Sequence, residues 1–289
     1  MFIRESKGII ALDIDGTITA EAESIPKEVI GYFYSLYEKG WDFIFITGRP
    51  YQWGIRSLKA IPFPYALGVQ NGALVLEMPS VEMIARKYLD WASLPLFEAV
   101  CLENHTDFVI YSGLENQDRC YYRPDRLPPH VLRYVQERTG KLGERWNIFD
   151  TFEELDISCF AALKCFARGP EAALLSSQIE SRLNLHAPLI KDPFSKEYFV
   201  VQATHAEATK GGALNEYLAF KNFSGPVIAA GNDHNDLSLL ELAAFKIAME
   251  DSPEEVLGMA DIIAPSAEKK GIIIGIEEAM RRIGGGLHA

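Results

Sequence analysis

The sequence has no long apolar run and no excess of basic residues. None of its apolar segments approaches the roughly 20 residues of a membrane-spanning helix, so we expect no membrane partner. Lys and Arg total 28 against 40 Asp and Glu, which gives a formal net charge of -12. This balance disfavours nucleic acid as the main partner, because binding to a polyanion relies on Lys and Arg.

Paired cysteine motifs and targeting signals are also missing. The four cysteines have neither CxxC spacing nor companion histidines, which favours reduced, partly buried thiols over a metal site or a disulfide. The N-terminal stretch MFIRESKGIIALDID lacks the apolar segment and the small-residue cleavage site of a secretory signal. We therefore expect a cytoplasmic location.

What the sequence does contain is the pattern of an α/β protein. Its 289 residues, 48% of them hydrophobic, can bury the core of one large domain or of two ordinary ones. The first part alternates continuous apolar runs, such as GIIALDI and WDFIFITGRP, with segments of helical periodicity. Continuous apolar runs between helices are typical of buried parallel strands. We predict a Rossmann-like parallel sheet with helices on both faces.

The middle of the sequence has a different pattern, and the last third returns to the first one. Residues 86-192 carry all four cysteines, a predicted helix and strand-like pieces such as ISCFAALKCFA, which together indicate an inserted α+β domain. Its downstream edge is marked by Pro188 and Pro193. The predicted organisation is a core of residues 1-85 and 193-289, interrupted by this insertion. The strand EYFVVQA is assigned to the second core segment.

Unusual polar side chains stand where three of the predicted strands end. They are Asp13 and Asp15, then Thr47, Gly48 and Arg49, then Asn232, Asp233 and Asp236. Open parallel sheets bind their ligands at this edge, and clustered carboxylates there require a cation unless their pKa values rise. Oxygen ligands suit Mg²⁺, whereas a hydroxyl such as that of Thr47 and an ammonium such as that of Lys210 suit a phosphate group. Together these groups indicate phosphoryl transfer.

Four short motifs resemble those of the haloacid dehalogenase (HAD) superfamily of phosphatases. DIDGT is similar to the first motif, FITGR to the second, Lys210 in EATKGGAL to the third, and GNDHNDLSLL to the fourth. QNGAL and the tail KIAMEDSPEEVLGMADIIAPSAEKKG resemble the Cof-like branch, whose large type-2 cap is inserted after the third core strand. The resemblance covers essentially the whole predicted core, and it implies a HAD-like fold in which residues 86-192 are the cap.

The resemblance also implies a role for each motif residue. Asp13 is expected to be the nucleophile that forms an aspartyl-phosphate, and Asp15 the general acid and base. Thr47 would bind the transferring phosphoryl group, and Lys210 would neutralise charge between the phosphate and Asp13. Mg²⁺ would be held by the Asp13 carboxylate, the backbone carbonyl of Asp15 and residues of the fourth motif.

The fourth motif departs from the Gly-Asp-x-x-Asn-Asp that is usual in this branch. Asn232 stands where the family's direct metal-binding acid would be. The side-chain oxygen of an asparagine is still a Mg²⁺ ligand, although it brings less charge than a carboxylate. We predict Asn232 and Asp236 as the metal ligands of this motif, with Asp233 as the reserve.

Gly48, Arg49 and Asn71 are predicted to bind substrate together with Thr47. For Arg49 the alternative interpretation is a cap on the helix that follows it. For Asn71 the alternative is a simple turn between two strands, since Asn-Gly is a common turn pair.

The predicted function is Mg²⁺-dependent hydrolysis of a small organic phosphate monoester. A sugar phosphate is the expected substrate, because the branch that the sequence resembles often acts on those. Two alternatives remain open at this point. One is a phosphotransferase or mutase of the phosphomannomutase type, and the other is a non-catalytic protein that binds a phosphorylated metabolite, for which Asn232 is the only motivation.

Overall fold

The structure is a computed structural model that describes residues 6–285 except Ala22, Gly143, Arg145 and Pro193. The strands, numbered along the chain, are β1 Gly8–Leu12, β2 Trp41–Ile46, β3 Tyr65–Val69, β4 Leu74–Met78, β5 Glu82–Arg86, β6 Leu89–Asp90, β7 Val109–Tyr111, β8 Cys120–Tyr122, β9 Trp146–Ile148, β10 Cys159–Phe160, β11 Ala162–Arg168, β12 Leu185–His186, β13 Leu189–Lys191, β14 Tyr198–His205, β15 Val227–Gly231, β16 Phe245–Met249 and β17 Ile262–Ala264. The helices are α1 Lys27–Glu38, α2 Tyr51–Leu58, α3 Ser93–Glu103, α4 Pro129–Leu142, α5 Gly169–Leu183, α6 Lys210–Lys221, α7 Leu237–Glu241, α8 Glu254–Met259 and α9 Gly271–Gly285.

The chain divides into two compact units. As far as their residues are described, the first unit comprises Met1–Thr47, Gly54–Arg86 and Lys210–Ala289. The second comprises Gly48–Trp53 and Lys87–Thr209.

The first unit is built on an eight-stranded sheet with the order β17-β16-β15-β1-β2-β3-β4-β5. The strands from β17 to β3 pair in parallel, whereas β4 and β5 form an antiparallel edge. The predicted α/β class with a parallel sheet is thereby confirmed. The chain passes from β1 to β2 on one side and later returns to β15 on the other. The carboxyl end of β1 is therefore a topological switch point, the place where open α/β sheets bind their ligands.

The apolar sequence of β1 follows from its burial on both faces. All five of its residues are buried, and Ile9 and Ala11 belong to an apolar cluster with side chains of α6, α7 and α8. Because successive strand residues point to opposite faces, the residues between them face the other side. A strand covered in this way is apolar throughout, which is why the acids that follow it are conspicuous.

The second unit contains a mainly antiparallel sheet with the order β12-β14-β11-β7-β8-β9, and β13 also pairs with β14. Successive residues of β11 alternate between two apolar clusters. Leu163 and Cys165 pack in the cluster that includes α3 and α5, whereas Ala162 and Phe166 pack in the aromatic cluster that includes α4. By this alternation, Lys164 lies on the same face as Ala162 and Phe166.

The structure places the strand EYFVVQA differently from our expectation. This strand is β14, and its residues Tyr198–Ala203 pair antiparallel with β11 in the sheet of the second unit. The second unit therefore extends to Thr209 rather than residue 192, and it also includes Gly48–Trp53. Pro193, which we used to mark the predicted edge, lies outside the described residues.

All four cysteines are free thiols, of which Cys101, Cys120 and Cys165 are buried and Cys159 is half-buried. In the described part of the chain, no helix is both long enough and apolar enough to cross a membrane.

Candidate active site

Asp13 and Asp15 lie directly beyond the carboxyl end of β1. The backbone N–H of Asp13 donates to Ala230 O at 3.0 Å and so extends the parallel pairing with β15 by one residue. This pairing fixes the Asp13 carboxyl at the edge of the sheet, where its residue is only 4% exposed. Asp15 is half-buried.

A tight turn follows the two acids and brings a hydroxyl back to the first of them. Gly16 has a φ of 75°, which a residue with a side chain rarely adopts, and its N–H donates to Thr19 O at 2.9 Å. The turn places the Thr17 hydroxyl 3.1 Å from Asp13 Oδ2, to which it donates. Thr17 thus holds one carboxylate oxygen of the proposed nucleophile.

Lys210 holds the other oxygen. It is the first residue of α6, it is 1% exposed, and its Nζ donates to Asp13 Oδ1 and to Asp236 Oδ1, both at 2.5 Å. Burial by itself lowers the pKa of Lys210, but the attraction of Asp13 and Asp236 outweighs burial and raises it above the ordinary lysine value. Lys210 is therefore a fixed positive charge between two buried carboxylates.

The surroundings of the Asp13 carboxyl raise its pKa. Burial raises its pKa to about 7, with the nearby carboxylates of Asp236 and Asp15 adding to the rise and the Lys210 ammonium opposing it. Any further positive charge beside Asp13 would lower this pKa and favour the ionised form, which is the form that a nucleophile needs.

Asp236 uses both of its oxygens inside the protein. Oδ1 accepts from Lys210, and Oδ2 accepts the backbone N–H groups of Asn232 at 2.9 Å and Asp233 at 3.0 Å. The side chain is fully buried. These hydrogen bonds fix the loop after β15 and orient Lys210. That Asp236 is also a metal ligand stays a prediction.

The Asn232 side chain ends among the oxygens of the first motif. Turned with its amide nitrogen toward them, it donates to Asp15 O at 2.9 Å, to Asp13 Oδ2 at 3.2 Å and to Thr17 Oγ1 at 3.3 Å. A Cβ on Gly16 would lie only 2.2 Å from the Asn232 amide. The glycine therefore provides the room that this side chain fills.

The donors that converge at this point fit a hard cation. Within the described ranges, no three His, Cys, Asp or Glu side chains are grouped to hold a metal ion. The group around Asn232 instead combines one carboxylate oxygen of Asp13, the carbonyl oxygen of Asp15 and the Asn232 amide. Oxygens of these three kinds are Mg²⁺ ligands, and water completes the coordination in most Mg²⁺ sites.

Thr47 and Asn71 meet at the ends of β2 and β3. The Thr47 N–H donates to Gly68 O, and its carbonyl accepts the Asn71 N–H, both at 2.9 Å. Asn71 is fully buried and has a φ of 57°. The turn interpretation of Asn71 therefore fits its backbone, while its burial is unusual for a turn residue.

Asn235 is a site residue that our sequence reasoning missed. Its Nδ2 donates to Asn71 Oδ1 at 3.0 Å, and the buried Asn71 Nδ2 has no hydrogen-bond partner in the described part of the chain. The signal was present in GNDHND, where Asn235 directly precedes Asp236. The pair links the end of β3 to the fourth motif.

Gly48 and Arg49 belong to the second unit, although they follow Thr47 directly in the chain. The Gly48 carbonyl accepts a hydrogen bond from Lys164 Nζ at 3.1 Å. The guanidinium of Arg49 is stacked on Trp53, with Cζ 4.3 Å from the ring centroid, and the residue is 2% exposed.

Comparison with known proteins identifies the family. Residues 10–276 match the haloacid dehalogenase-like hydrolase family. The chain belongs to this family. YxeH of Bacillus subtilis (strain 168) is 23% identical to this chain over 276 residues, covering 93% of this chain and 97% of that protein.

Two further proteins are similar to this chain over most of its length. Pyridoxal phosphate phosphatase YbhA of Escherichia coli (strain K12) is 21% identical over 279 residues, covering 88% of this chain and 92% of that protein. The structure of the HAD subclass IIB sugar phosphatase BT4131 superposes with a TM-score of 0.71 at 18% identity, covering 96% of this chain and 98% of that one. The family match and these relatives agree on an enzyme of the HAD phosphatase type.

Proposed function

We propose that this HAD phosphatase is Mg²⁺-dependent and hydrolyses a small organic phosphate monoester through an aspartyl-phosphate intermediate. The observation that carries the proposal is the buried group of Asp13, Lys210 and Asp236 at the carboxyl end of β1, with Asp15 two residues further on. Such a group offers a nucleophile, fixed positive charge and an acid–base residue at one edge of the sheet.

In the first step, a carboxylate oxygen of Asp13 forms a bond to phosphorus as the bond to the leaving oxygen breaks. Asp15 gives its proton to that leaving oxygen. In the second step, Asp15 removes a proton from water, whose oxygen attacks phosphorus and releases inorganic phosphate and the Asp13 carboxylate. Lys210 stabilises the negative charge that develops beside Asp13 in both steps.

The residues that would hold Mg²⁺ are Asp13 through Oδ2, Asp15 through its carbonyl oxygen and Asn232 through its side-chain oxygen. When bound, the cation supplies charge neutralisation for the phosphoryl oxygens. Asp236 is proposed as the fourth protein ligand, and its hydrogen bonds also orient Lys210 and hold the backbone of Asn232.

We assign phosphate binding to Thr47 and Asn71, with Asn235 beside them and with Gly48 and Arg49 in the segment that follows Thr47. The buried Nδ2 of Asn71 supports this assignment, because no described residue bonds to it and a phosphoryl oxygen would satisfy it. A sugar phosphate is the proposed substrate, and the sugar phosphatase among the structural relatives supports that class. The proposed location is the cytoplasm.

The test is hydrolysis of an aryl phosphate and of a panel of sugar phosphates, with Mg²⁺ and with a chelator. Asp13→Asn should lower kcat/KM by at least about a thousandfold, as removal of a catalytic nucleophile does. Asp150→Asn, at an exposed position, is the matched control and should leave activity unchanged. A wild-type protein that hydrolyses nothing, or an Asp13→Asn variant with full activity, contradicts the proposal. Transfer of phosphate to a second sugar rather than to water would support the mutase alternative instead.

A further inference from the structure

We propose that the Asn232 amide is an internal substitute for the cation. In the metal-free protein its N–H groups would take the place of the cation's contacts with Asp13 Oδ2 and Asp15 O. A cation would bind only once the amide has turned to present its oxygen. This inference rests on the cation requirement of the proposed function, but it concerns what the chain does when no cation is bound.

The argument begins with the atom of Asn232 that lies nearest to the first motif. That atom is 2.9 Å from Asp15 O, 3.2 Å from Asp13 Oδ2 and 3.3 Å from Thr17 Oγ1. If it is the amide nitrogen, its two hydrogens face acceptors and the group is satisfied without any ion. If it is the amide oxygen, it can accept from the Thr17 hydroxyl at 3.3 Å, but it meets Asp15 O and Asp13 Oδ2 with no proton between them.

The two orientations therefore suit two different states of the site. With nitrogen inward, the amide cross-links the first and fourth motifs by itself. With oxygen inward, three oxygens point at one place, and only a cation there relieves their repulsion. An amide can change between the two by rotating its terminal group, which needs no movement of the backbone.

An aspartate at this position has no such choice. Both of its side-chain atoms are oxygens, so in the metal-free protein one of them would always face Asp15 O and Asp13 Oδ2. The Asn232 amide fills the space left by the missing Cβ of Gly16, since a Cβ there would lie only 2.2 Å from it. An aspartate in its place would occupy the same space beside these oxygens. Asn232 thus stabilises the metal-free form and weakens cation binding, whereas an aspartate does the reverse.

The variant Asn232→Asp tests both halves of this inference without substrate. In metal-free buffer, its melting temperature should fall by about 2–4 °C or more, the shift expected when a chain of this size loses one buried hydrogen-bonding group. Titration with MgCl₂ by calorimetry should show at least about tenfold tighter binding than wild type, since ligand charge strengthens a Mg²⁺ site. Gln136→Glu, at an exposed position of α4, makes the same amide-to-carboxylate change elsewhere and should change neither quantity.

A measurement on the wild-type chain covers the case in which Asn232→Asp does not fold. In ¹⁵N-labelled protein, the side-chain NH₂ protons of Asn232 should exchange slowly with water in the metal-free state. Their exchange should accelerate and their signals should shift when MgCl₂ is added. Equal stability and equal Mg²⁺ affinity of wild type and Asn232→Asp, or Asn232 amide signals that ignore MgCl₂, would overturn the inference. Because no substrate is used, failure of the proposed phosphatase activity would leave these outcomes unaffected.

Discussion

Each unit of the molecule contains one buried lysine among its described residues, and the two have opposite surroundings. Lys210 in the first unit contacts the carboxylates of Asp13 and Asp236, whereas Lys164 in the second unit donates to the backbone carbonyl of Gly48 and lies 4.2 Å from the ring centroid of Tyr111. No ion pair of Lys164 with a carboxylate occurs in the described part of the chain. The charge of the buried lysine is thus compensated by contacting carboxylates in the first unit. In the second unit, as far as it is described, no carboxylate contacts the lysine, and we call this lysine uncompensated.

The pKa values follow this difference. Attraction by two carboxylates raises the pKa of Lys210 despite its burial. Burial lowers the pKa of Lys164 to about 8, and the guanidinium of Arg138 lowers it further, while the carboxylates of Glu144 and Asp192 only partly oppose this. A buried lysine is therefore a permanent charge in the first unit and a titratable one in the second.

The largest expected effect is the loss of the compensated lysine. Lys210→Met leaves two carboxylates buried beside each other without a counter-charge, which typically costs about 3–5 kcal/mol in the free energy of unfolding. Urea denaturation of the metal-free protein measures this cost, and hydrogen exchange in peptides from β1 and β15 localises it. Lys221→Met, which removes a partly exposed ion pair with Asp42, is the control and should cost about 1 kcal/mol or less.

The second effect is a pH dependence of the unfolding free energy, which we expect from Lys164 and not from Lys210. Between pH 8 and the ordinary lysine value of 10.5, the unfolded chain holds the Lys164 proton and the folded chain does not. Stability rises with pH wherever the unfolded state binds more protons. The unfolding free energy of wild type should therefore rise relative to that of Lys164→Met across this window, by about 3 kcal/mol at most. The check is the difference in unfolding free energy between the two proteins from pH 7 to 10.5. A constant difference would mean that Lys164 has an ordinary pKa in the folded protein.

At pH 7 the same substitution should be mild. Lys164→Met removes the hydrogen bond to Gly48 O, worth about 1 kcal/mol, but it also removes a buried ammonium that lacks a carboxylate partner. These contributions oppose each other, so we expect a net change of about 1 kcal/mol or less in urea denaturation. A loss as large as that of Lys210→Met would show that the two lysines do not differ in compensation.

The smallest effect concerns the hydroxyl of the aromatic ring beside Lys164. Tyr111→Phe keeps the ring and removes the O–H that donates to Glu144 Oε2 at 3.3 Å, a long bond to a carboxylate that also accepts from Trp146 Nε1 at 2.8 Å. We expect a loss of about 1 kcal/mol or less in unfolding free energy. The pH dependence of stability assigned to Lys164 should persist, and its disappearance in Tyr111→Phe would show that the hydroxyl, not the ring, sets it.

The sequence was sufficient for the parts of the site that one local pattern determines. The apolar run of β1 predicts a strand covered on both faces, and Asp13 and Asp15 follow it at the edge where such sheets bind ligands. Lys210, the lysine of the third motif, is the first residue of α6. That it reaches Asp13, 197 residues away in the chain, depends on the packing of α6, which no local pattern describes.

Other features could not be predicted, because the same sequence pattern is compatible with more than one structure. EYFVVQA has the apolar sequence of a strand but nothing that names its partner, so its pairing with β11 was missed. The fourth motif does not reveal that both carboxylate oxygens of Asp236 accept hydrogen bonds within the protein. Lys164 is visible as a lysine within the apolar run AALKCFA, but only the structure shows that it lacks a carboxylate partner.

The assignment of Gly48–Trp53 to the second unit has a consequence for protein engineering. Within that unit this short segment accepts the Lys164 hydrogen bond at Gly48, donates from Gln52 N to Asp118 Oδ2 at 2.7 Å, and packs Trp53 against Phe194. A chimera that exchanges only the continuous stretch Lys87–Thr209 with a relative would separate Lys164 and Asp118 from their natural partners. Grafting the second unit between members of this family would therefore require two segments to be transplanted together, one of them only six residues long.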